Sequence, residues 1–450
     1  MATFPPLTQI RGRLIMPADS AYEEARKVFF HGFDRRPVAI AQAAGADDVA
    51  QVVSLAREEG LDLAVRGGGH SSAGHGTVDG GVVLDLSALR SLEIDVDGRS
   101  AWAESGLTAG EYTLAVGEHG LVTGFGDTPS VGIAGITLAG GLGFLLRKNG
   151  LTVDDLLAAE VVTSDGSLLQ VDAESHPDLF WAIRGGGGNF GVVTRFRYRL
   201  HELDEIVGGM LMLPASPELV SSFVAAAAEA PDELSTVANV MLAPPMPFVP
   251  AEHHGKPVMI VLLVYAGPAE AGEAAVAPLR GLAPPLVDMV RPMRYPQIYE
   301  LGEGPAPALI ASRNTFLDSV DSAAAETIFD RLPQSSAPMR AVQLRVMGGA
   351  AARVPVDATA FAHRDRGLMV NVAAMYENPA DTPVHREWVS GLSEALEQGA
   401  PSGYVGFYGD ESEDRVHAAY PGATWERLVE VKRRYDPANV FRLNQNVPPG

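Results

Sequence analysis

The sequence predicts an α+β protein made of two lobes. Strands and helices alternate with glycine-rich connections over the first 200 residues. After about residue 203, proline becomes frequent and the glycine clusters thin out. The middle of the chain mixes apolar runs with alanine-rich stretches, which favours a sheet covered by helices on one face. These three observations define the class, and they place the lobe boundary near residues 203–210.

Composition restricts the possible functions. Of the 450 residues, 46% are hydrophobic and 20% are charged, as in globular proteins. There is no cysteine, which excludes disulfides, thiolate nucleophiles, iron–sulfur clusters and cysteine-ligated zinc. The 34 Lys and Arg against 56 Asp and Glu give a net charge of -22, which repels nucleic acid and anionic lipid. No apolar run approaches the roughly 18 residues of a membrane span. We therefore expect a cytoplasmic monomer or homodimer that binds small molecules.

Local patterns predict the elements of the first lobe. Residues 38–41 form a β-branched and apolar run typical of a strand. Asp47 and Asp48 precede apolar residues at helical spacing, which predicts a capped helix that ends at Gly60. Further strands are predicted at 63–65, 82–86, 161–162, 168–171 and 192–200, with Ser164-Asp165-Gly166 as the turn of a hairpin.

Similar patterns continue through the second lobe. The alanine-rich stretch 225–228 predicts a helix that ends before Pro231, and the apolar runs at 258–265, 342–347 and 368–374 predict strands. A last helix ends at Tyr435-Asp436-Pro437. The segment 441–446 that follows is too rich in amides to be a free tail, so we expect it to have a partner.

The first candidate site is the glycine run at 66–70. Three glycines between a strand and His70 allow successive backbone N–H groups to turn inward, which forms a nest for an anion such as a pyrophosphate. Arg66 adds positive charge. A flexible turn with an incidental histidine is the alternative. His70 and His75 have no third ligand nearby, so we predict no metal site.

One segment matches the residue pattern of a dinucleotide-binding fingerprint but lacks its structural context. The segment Gly186-Gly187-Gly188-Asn189-Phe190-Gly191 satisfies G-x-G-x-x-G, but a helical pattern precedes it and a strand follows it. The fingerprint needs the opposite order, so this is not a Rossmann site. No phosphate-binding G-x-x-x-x-G-K-[ST] motif occurs either.

Taken together, these motifs resemble the berberine-bridge-enzyme-like FAD-linked oxidases of the vanillyl-alcohol-oxidase, or PCMH-type, superfamily. The resemblance runs in order over essentially the whole chain. It is carried by RGGGHS at 66–71 with Gly74, VVLDLS at 82–87, VGIAG at 131–135 with GGLG at 140–143, LFWAIRGGGGNFGVVT at 179–194, and YDPAN at 435–439 with NQN at 444–446.

This resemblance implies a fold and a set of cofactor contacts. It implies a PCMH-type FAD-binding lobe at 1–203, with its core at 36–203, a substrate lobe of antiparallel sheet covered by helices at 204–412, and a return to the FAD lobe at 413–450. The sheet would cover the flavin ring. The residues implied to contact FAD are Arg66, Gly67, Gly68, Gly69, His70, Ser71, Gly74, Thr128, Val131, Gly132, Gly135, Gly141, Val193, Asn444 and Asn446.

The mode of cofactor attachment also follows from the resemblance. In the family, the histidine at the place of His70 bonds covalently to the flavin, which makes the ring a stronger hydride acceptor. Many members add a second bond from a cysteine, but Thr128 stands at that place here. The resemblance therefore implies a single attachment, as in the hydroxynicotine-oxidase-like and bacterial secondary-metabolism members. Val131 stands where a small residue is associated with oxygen access, which favours an oxidase.

We expect hydride transfer from a small organic substrate to the flavin, followed by reoxidation with dioxygen to hydrogen peroxide. Relatives carry a tyrosine base at the place of Phe407, which cannot take a proton. Tyr408 or Tyr404 could substitute, and the alternative is that both pack as aromatics on a strand. Either tyrosine would need a neighbouring charge to act as a base near neutral pH.

Arg345 is the third candidate catalytic residue. It alternates with Gln343 and Met347 on a predicted strand, so the three side chains share a face. If that face lines the pocket, Arg345 would favour an anionic or carbonyl-bearing substrate. The alternative is an arginine on the solvent face of an edge strand.

Two other functions remain open. A flavoprotein cyclase or dehydrogenase would keep the cofactor without using dioxygen, and a drug-sequestering flavoprotein would function by binding alone. Formation of peroxide and repeated turnover distinguish an oxidase from both. The substrate, its stereochemistry and the pathway are not given by the sequence.

Overall fold

The structure is a computed structural model that describes residues 10–245, 247, 249–301, 307–409 and 411–450. The first nine residues of the predicted FAD lobe lie outside this range. The helices are α1 Tyr22–Ala25, α2 Ala46–Glu58, α3 Ala109–Gly117, α4 Ile133–Ala139, α5 Leu146–Asn149, α6 Pro177–Ala182, α7 Pro217–Glu229, α8 Ala269–Arg280, α9 Ser322–Arg331, α10 Gly349–Arg353, α11 Thr382–Leu396, α12 Glu413–Ala418 and α13 Ala423–Tyr435.

Most strands belong to three sheets. They are β1 Arg13–Ile15, β2 Ala39–Gln42, β3 Leu63–Arg66, β4 Val82–Asp85, β5 Leu92–Asp95, β6 Ser100–Glu104, β7 Leu121–Val122, β8 Leu156–Val162, β9 Leu168–Asp172, β10 Val192–Arg199, β11 His201–Glu202, β12 Glu205–Pro214, β13 Leu234–Leu242, β14 Pro257–Tyr265, β15 Val287–Asp288, β16 Arg291–Arg294, β17 Leu309–Leu317, β18 Met339–Val346 and β19 Leu368–Tyr376.

The first sheet has the order β1-β2-β4-β3, with β2, β3 and β4 parallel. Its strands are short apolar runs, and β4 is buried along its whole length. Helix α2 crosses between β2 and β3 and buries the predicted stripe of Val49, Val52, Val53 and Ala56. The predicted order of strand, helix and strand is therefore confirmed, and the glycine run that contains His70 begins where β3 ends.

The second sheet is antiparallel and has the order β5-β6-β10-β8-β9. Strands β8 and β9 form the predicted hairpin. Strand β10 pairs with both β6 and β8 at the centre of the sheet and contributes Phe196 and Tyr198 to the largest apolar core. The literal G-x-G-x-x-G segment lies between α6 and β10, which confirms that a helix precedes it and a strand follows it.

The third sheet lies between residues 205 and 376. Its order is β15-β12-β14-β13-β18-β19-β17, with β16 beside β12, and its pairs are antiparallel. One face packs Val342, Leu344 and Val346 against residues of α7, α9 and α11. The prediction of an α+β protein with a helix-covered antiparallel sheet is thus confirmed. Strand β18 is central, so the interpretation of Arg345 as a residue of an edge strand is wrong.

The C-terminal segment packs against the glycine-rich part of the first lobe. Helix α13 ends at Tyr435, as predicted. The ammonium group of Lys432 donates hydrogen bonds to the carbonyl oxygens of Asn189 and Phe441 and pairs with Asp436 at 2.7 Å. These bonds join the last helix, the final segment and the second glycine cluster into one buried unit. Among the described residues, no helix has the length and apolarity needed to cross a bilayer.

Candidate active site

Two glycine-rich loops touch through their backbones at the edge of the first lobe. A Cβ atom on Gly68 would lie 2.3 Å from the backbone nitrogen of Gly132, and one on Gly132 would lie 2.4 Å from that of Gly68. Neither position can therefore carry a side chain while the loops keep this arrangement. The close approach brings the segment after β3 together with the segment before α4.

The loop after β3 carries unpaired backbone donors. Among the hydrogen bonds found in the described residues, none is donated by the amides of residues 67–71. Gly69 has a φ of +72°, in the left-handed region where glycine is favoured. Ser71 and Gly74 close the loop, because the Gly74 amide donates to the Ser71 carbonyl at 2.9 Å. Five consecutive free amides suit a phosphate-bearing ligand.

Arg66 has a different environment from the one predicted. Its guanidinium pairs with Asp85 at 2.9 Å and also donates to the carbonyl oxygens of Ala25 and Lys27. The residue is only 7% exposed. Because Asp85 neutralises its charge, Arg66 holds the base of the loop, and no free charge is left for a bound anion.

His70 is held in one orientation. Its Nε2 lies 3.0 Å from the hydroxyl of Ser130, and its ring stacks on Phe29 with centroids 3.9 Å apart. Burial lowers the pKa of His70 to about 4, and the Ser130 contact opposes this shift only in part. The imidazole is therefore neutral at pH 7, and a neutral imidazole has a ring nitrogen with a free electron pair.

The other predicted cofactor residues of the first lobe have mixed environments. Thr128 donates from its hydroxyl to the Asp127 carboxylate at 3.2 Å, next to half-buried Val131. Gly135 faces open space, since a Cβ there would meet no atom within 4 Å. Val193 is buried in the core, and its carbonyl accepts a hydrogen bond from Ser105.

Two asparagine side chains of the C-terminal segment have buried oxygen atoms that accept no hydrogen bond. Asn444 donates through Nδ2 to the carbonyls of Gly188 and Phe441, but its Oδ1 is buried and unbonded, and the same holds for Asn446 Oδ1. Unpaired buried acceptors are uncommon in folded proteins and call for a donor. The segment has the partner that the sequence predicted, and its free oxygens fit a ligand that bears N–H or O–H groups.

Tyr404 lies where the two lobes meet. Its hydroxyl oxygen accepts a hydrogen bond from the Gly141 amide at 3.2 Å. Burial raises the pKa of Tyr404 to about 12, although the Gly141 amide and the charge of Arg345 act in the opposite direction. Residues 405–407 form a short 3-10 helix, so the interpretation that the tyrosines lie on a strand is wrong.

Tyr408 points to a different place. Its hydroxyl donates to the carbonyl of Arg415 at 3.2 Å, and burial raises its pKa. Its own carbonyl accepts bonds from Ser72 and Gln445, which connects the His70 loop with the C-terminal segment. These contacts engage the hydroxyl proton of Tyr408 and hold its backbone between the two segments.

Arg345 extends from the large sheet to the first lobe. It pairs with Asp127 at 2.5 Å and donates to the carbonyl of Leu142 and to the side chain of Gln343. It is 1% exposed, and its guanidinium carbon lies 5.1 Å from the centroid of the Phe407 ring. The predicted pocket face thus meets the glycine loops, but the charge of Arg345 is neutralised within the protein.

Sequence reasoning missed two residues at this junction. Ser130 fixes the His70 ring, and Asp127 pairs with Arg345 across 218 positions of the chain. The only available signal was that both flank Thr128. A side chain that pairs across the lobes cannot be found from local patterns.

Fold and site together define a flavoprotein with a cofactor lobe and a substrate lobe. The free amides suit a pyrophosphate, and the unbonded amide oxygens suit a polar ring edge, and FAD has both groups. A family model of an FAD-binding domain matches residues 37–172, and one described as berberine and berberine like matches residues 403–448.

Relatives cover nearly the whole chain. The (R)-6-hydroxynicotine oxidase of Paenarthrobacter nicotinovorans is 31% identical over 456 residues, covering 98% of this chain and 97% of that protein. An uncharacterised FAD-linked oxidoreductase of Bacillus subtilis is 29% identical over 453 residues, with 98% of each covered. The chain belongs to the berberine-bridge-enzyme-like family of FAD-linked oxidoreductases.

Solved structures support the same fold. The crystal structure of 6-hydroxy-D-nicotine oxidase from Arthrobacter nicotinovorans superposes with a TM-score of 0.88 at 28% identity, covering 98% of this chain and 99% of that one. A xylooligosaccharide oxidase of Myceliophthora thermophila has a TM-score of 0.85 at 21% identity, covering 98% and 97%, and shows likeness of fold alone. The predicted family, the PCMH-type fold and FAD as the cofactor are confirmed.

Proposed function

We propose that this FAD-dependent oxidoreductase is an oxidase that carries its FAD on His70 through one covalent bond. The observation that supports this most directly is the environment of His70, whose neutral imidazole is held by Ser130 beside the contact between Gly68 and Gly132. Thr128 stands where some relatives attach the flavin a second time, and a threonine hydroxyl beside Asp127 is no substitute for a thiolate.

FAD, when bound, supplies the two-electron acceptor for a hydride from substrate carbon, and dioxygen then takes the electrons to give hydrogen peroxide. The chain contributes binding and orientation. The unpaired amides of residues 67–71 would hold phosphate, and the unbonded oxygens of Asn444 and Asn446 would accept hydrogen bonds from the polar edge of the cofactor. The third sheet, whose Arg345 reaches the glycine loops, would cover the ring, and the small side chain of Val131 would leave room for dioxygen.

Tyr404 is the side chain that we assign to the substrate. Its oxygen already accepts the Gly141 amide proton, and no acceptor for its own O–H proton is found among the described residues. A phenol with a pKa of about 12 stays protonated at neutral pH. Tyr404 therefore donates a hydrogen bond to the substrate, and Arg345 orients the pocket through Asp127 and Phe407. Tyr408 lies outside this set.

The Tyr404→Phe variant should lower kcat/KM by about tenfold, the effect of one lost hydrogen bond. Because the pKa of Tyr404 lies at about 12, the pH profile of the variant should keep its wild-type shape below pH 10 or so. Steady-state kinetics with the first substrate that yields peroxide in a screen would measure both. Tyr408→Phe is the matched control, with activity near wild type. Equal losses in the two variants would contradict the assignment.

Use of dioxygen can be tested without a known substrate. The holoprotein is reduced by light under anaerobic conditions and mixed with air-saturated buffer, while the flavin absorbance and peroxide are followed. We expect rapid reoxidation with one peroxide per flavin, and slower reoxidation in Val131→Leu because the larger side chain obstructs dioxygen. Slow reoxidation of wild-type protein, equal to that of Val131→Leu, would instead support a dehydrogenase or cyclase.

A further inference from the structure

Four amide side chains form a row across the centre of the large sheet. Asn239 on β13 pairs in register with Gln343 on β18, Gln343 pairs with Asn371 on β19, and Asn371 pairs with Asn314 on β17. Residues directly opposite each other in antiparallel strands project from the same face. We call these four residues the amide row.

The amide row lies on the face that meets the glycine loops. Arg345, two residues from Gln343, reaches Asp127 and the Leu142 carbonyl in the first lobe. Met369, two residues from Asn371, packs in one apolar cluster with Leu142 and Tyr404. The opposite face of the same strands packs on helices. The row therefore faces the cofactor lobe beside Tyr404.

Three members of the row have partners and one does not. Gln343 donates to Asn239 and accepts from Arg345, while Asn314 bonds both the amide and the carbonyl of Tyr404. Asn371 is only 9% exposed, and its Oδ1 is buried without a hydrogen-bond partner. No partner for its Nδ2 is found among the described residues either. A buried amide that is left free between two bonded ones is available to a ligand.

The charge of this surface is balanced. On this face of β13, β17, β18 and β19, strands that are described along their whole length, Arg345 is the one charged side chain, and Asp127 neutralises it. A carboxylate or an ammonium group bound here would lose its hydration without gaining a free counter-charge. A neutral group with an O–H or N–H donor loses little hydration free energy and gains a hydrogen bond to the Asn371 acceptor.

We propose that Asn371 determines specificity and that the substrate is a neutral molecule that donates a hydroxyl or amide N–H to Asn371 Oδ1. This inference rests on the proposed function, because it takes the face of the amide row as the cover of the flavin. Of the anionic or carbonyl-bearing substrates that Arg345 suggested, it sets aside the anionic ones, because Arg345 is paired with Asp127.

Three probes of equal size test the proposal on holoprotein. They are para-(hydroxymethyl)benzamide, para-(hydroxymethyl)benzoate and para-(hydroxymethyl)benzylamine, which are neutral, anionic and cationic at neutral pH. Binding is followed by perturbation of the visible flavin spectrum. We expect the amide to bind at least about tenfold more tightly than either charged probe. It gains one well-placed hydrogen bond, and no charge is desolvated when it binds.

Two substitutions then separate recognition from folding. Asn371→Leu should lower the affinity for the neutral probe by about tenfold. Asn371→Asp should shift the binding preference to the ammonium probe. Asn378→Leu, at an exposed amide beyond the end of β19, is the control and should leave all three affinities unchanged. Thermal denaturation identifies a variant that fails to fold, in which case Asn371→Ser takes its place.

The outcomes separate this inference from the proposed function. A colourless protein that takes up no FAD contradicts the proposed function itself. A yellow wild-type protein that binds a charged probe as tightly as the amide, or binds none of the three up to their solubility limits, overturns the inference alone. So does an Asn371→Leu variant that keeps both its flavin spectrum and wild-type affinity for the amide.

Discussion

The His70→Ala variant is expected to release all of its FAD when the protein is precipitated with acid. Wild-type protein should give a yellow pellet, because a covalent bond survives unfolding, whereas the variant should give a white pellet and a yellow supernatant. His70 is half-buried, and its alanine variant removes one hydrogen bond to Ser130 and the stacking on Phe29, so the fold should persist. Absorbance of the two fractions is the measurement.

The control for this experiment is a histidine away from the site. His119 is exposed at the end of the turn after α3, and His119→Ala should keep the yellow pellet. Because Thr128 cannot form a second bond, no colour should remain with the His70→Ala pellet. A yellow pellet from that variant would place the attachment elsewhere, and a white pellet from wild-type protein would show that FAD is held by contacts alone.

The sequence predicted those parts of the fold that depend on local physics. The stripe of Val49, Val52, Val53 and Ala56 packs as the spacing requires, and α13 ends where Tyr435-Asp436-Pro437 disfavours a further turn. Strand existence was also predictable, since β-branched runs such as β14 have few other stable environments. The exact lobe boundary and the contacts of FAD stay predictions.

Side-chain pairing across long sequence separations was not predictable. From the sequence, the positive charge of Arg66 was expected to attract a bound anion. In the structure, β3 and β4 are parallel neighbours, and this pairing places Asp85 beside Arg66. Arg345 met Asp127 only because the sheet lies against the glycine loops. The amide row depends on the register of four strands, and no single strand contains that information.

The contacts of Tyr404 and Tyr408 were also not predictable, although the two residues are close in sequence. The two residues are four apart, and the sequence alone does not rank one above the other as the candidate base. The 3-10 helix at 405–407 turns one hydroxyl to Gly141 and the other to Arg415. The direction of a side chain in a short turn is set by the residues it packs against, so only the assembled lobes distinguish a donor at the site from a packing residue.

The Lys432→Met variant should lose about 3–5 kcal/mol of unfolding free energy, the effect of breaking a buried ion pair on one side. Lys432 and Asp436 have fully buried side chains. The Asp436 carboxylate also accepts the backbone amides of Val440 and Phe441, so it cannot turn away to reach water. Without Lys432, this buried carboxylate would lose its counter-charge, and the carbonyl of Asn189 would lose its ammonium donor. Denaturant unfolding followed by circular dichroism is the measurement.

An exposed lysine provides the matched control. Lys27 pairs with Glu24 at 2.5 Å with both side chains largely in solvent, so Lys27→Met should cost less than about 1 kcal/mol. Equal stabilities of the two variants would contradict the proposed importance of the buried pair. Replacing Asp436 as well, in Lys432→Met with Asp436→Leu, should recover part of the loss because no unpaired charge remains. The pair anchors the segment that carries Asn444 and Asn446, so FAD uptake should fall in the Lys432→Met variant. In the double variant, FAD uptake should recover less than the unfolding free energy does, because the backbone amides at 440 and 441 lack an acceptor.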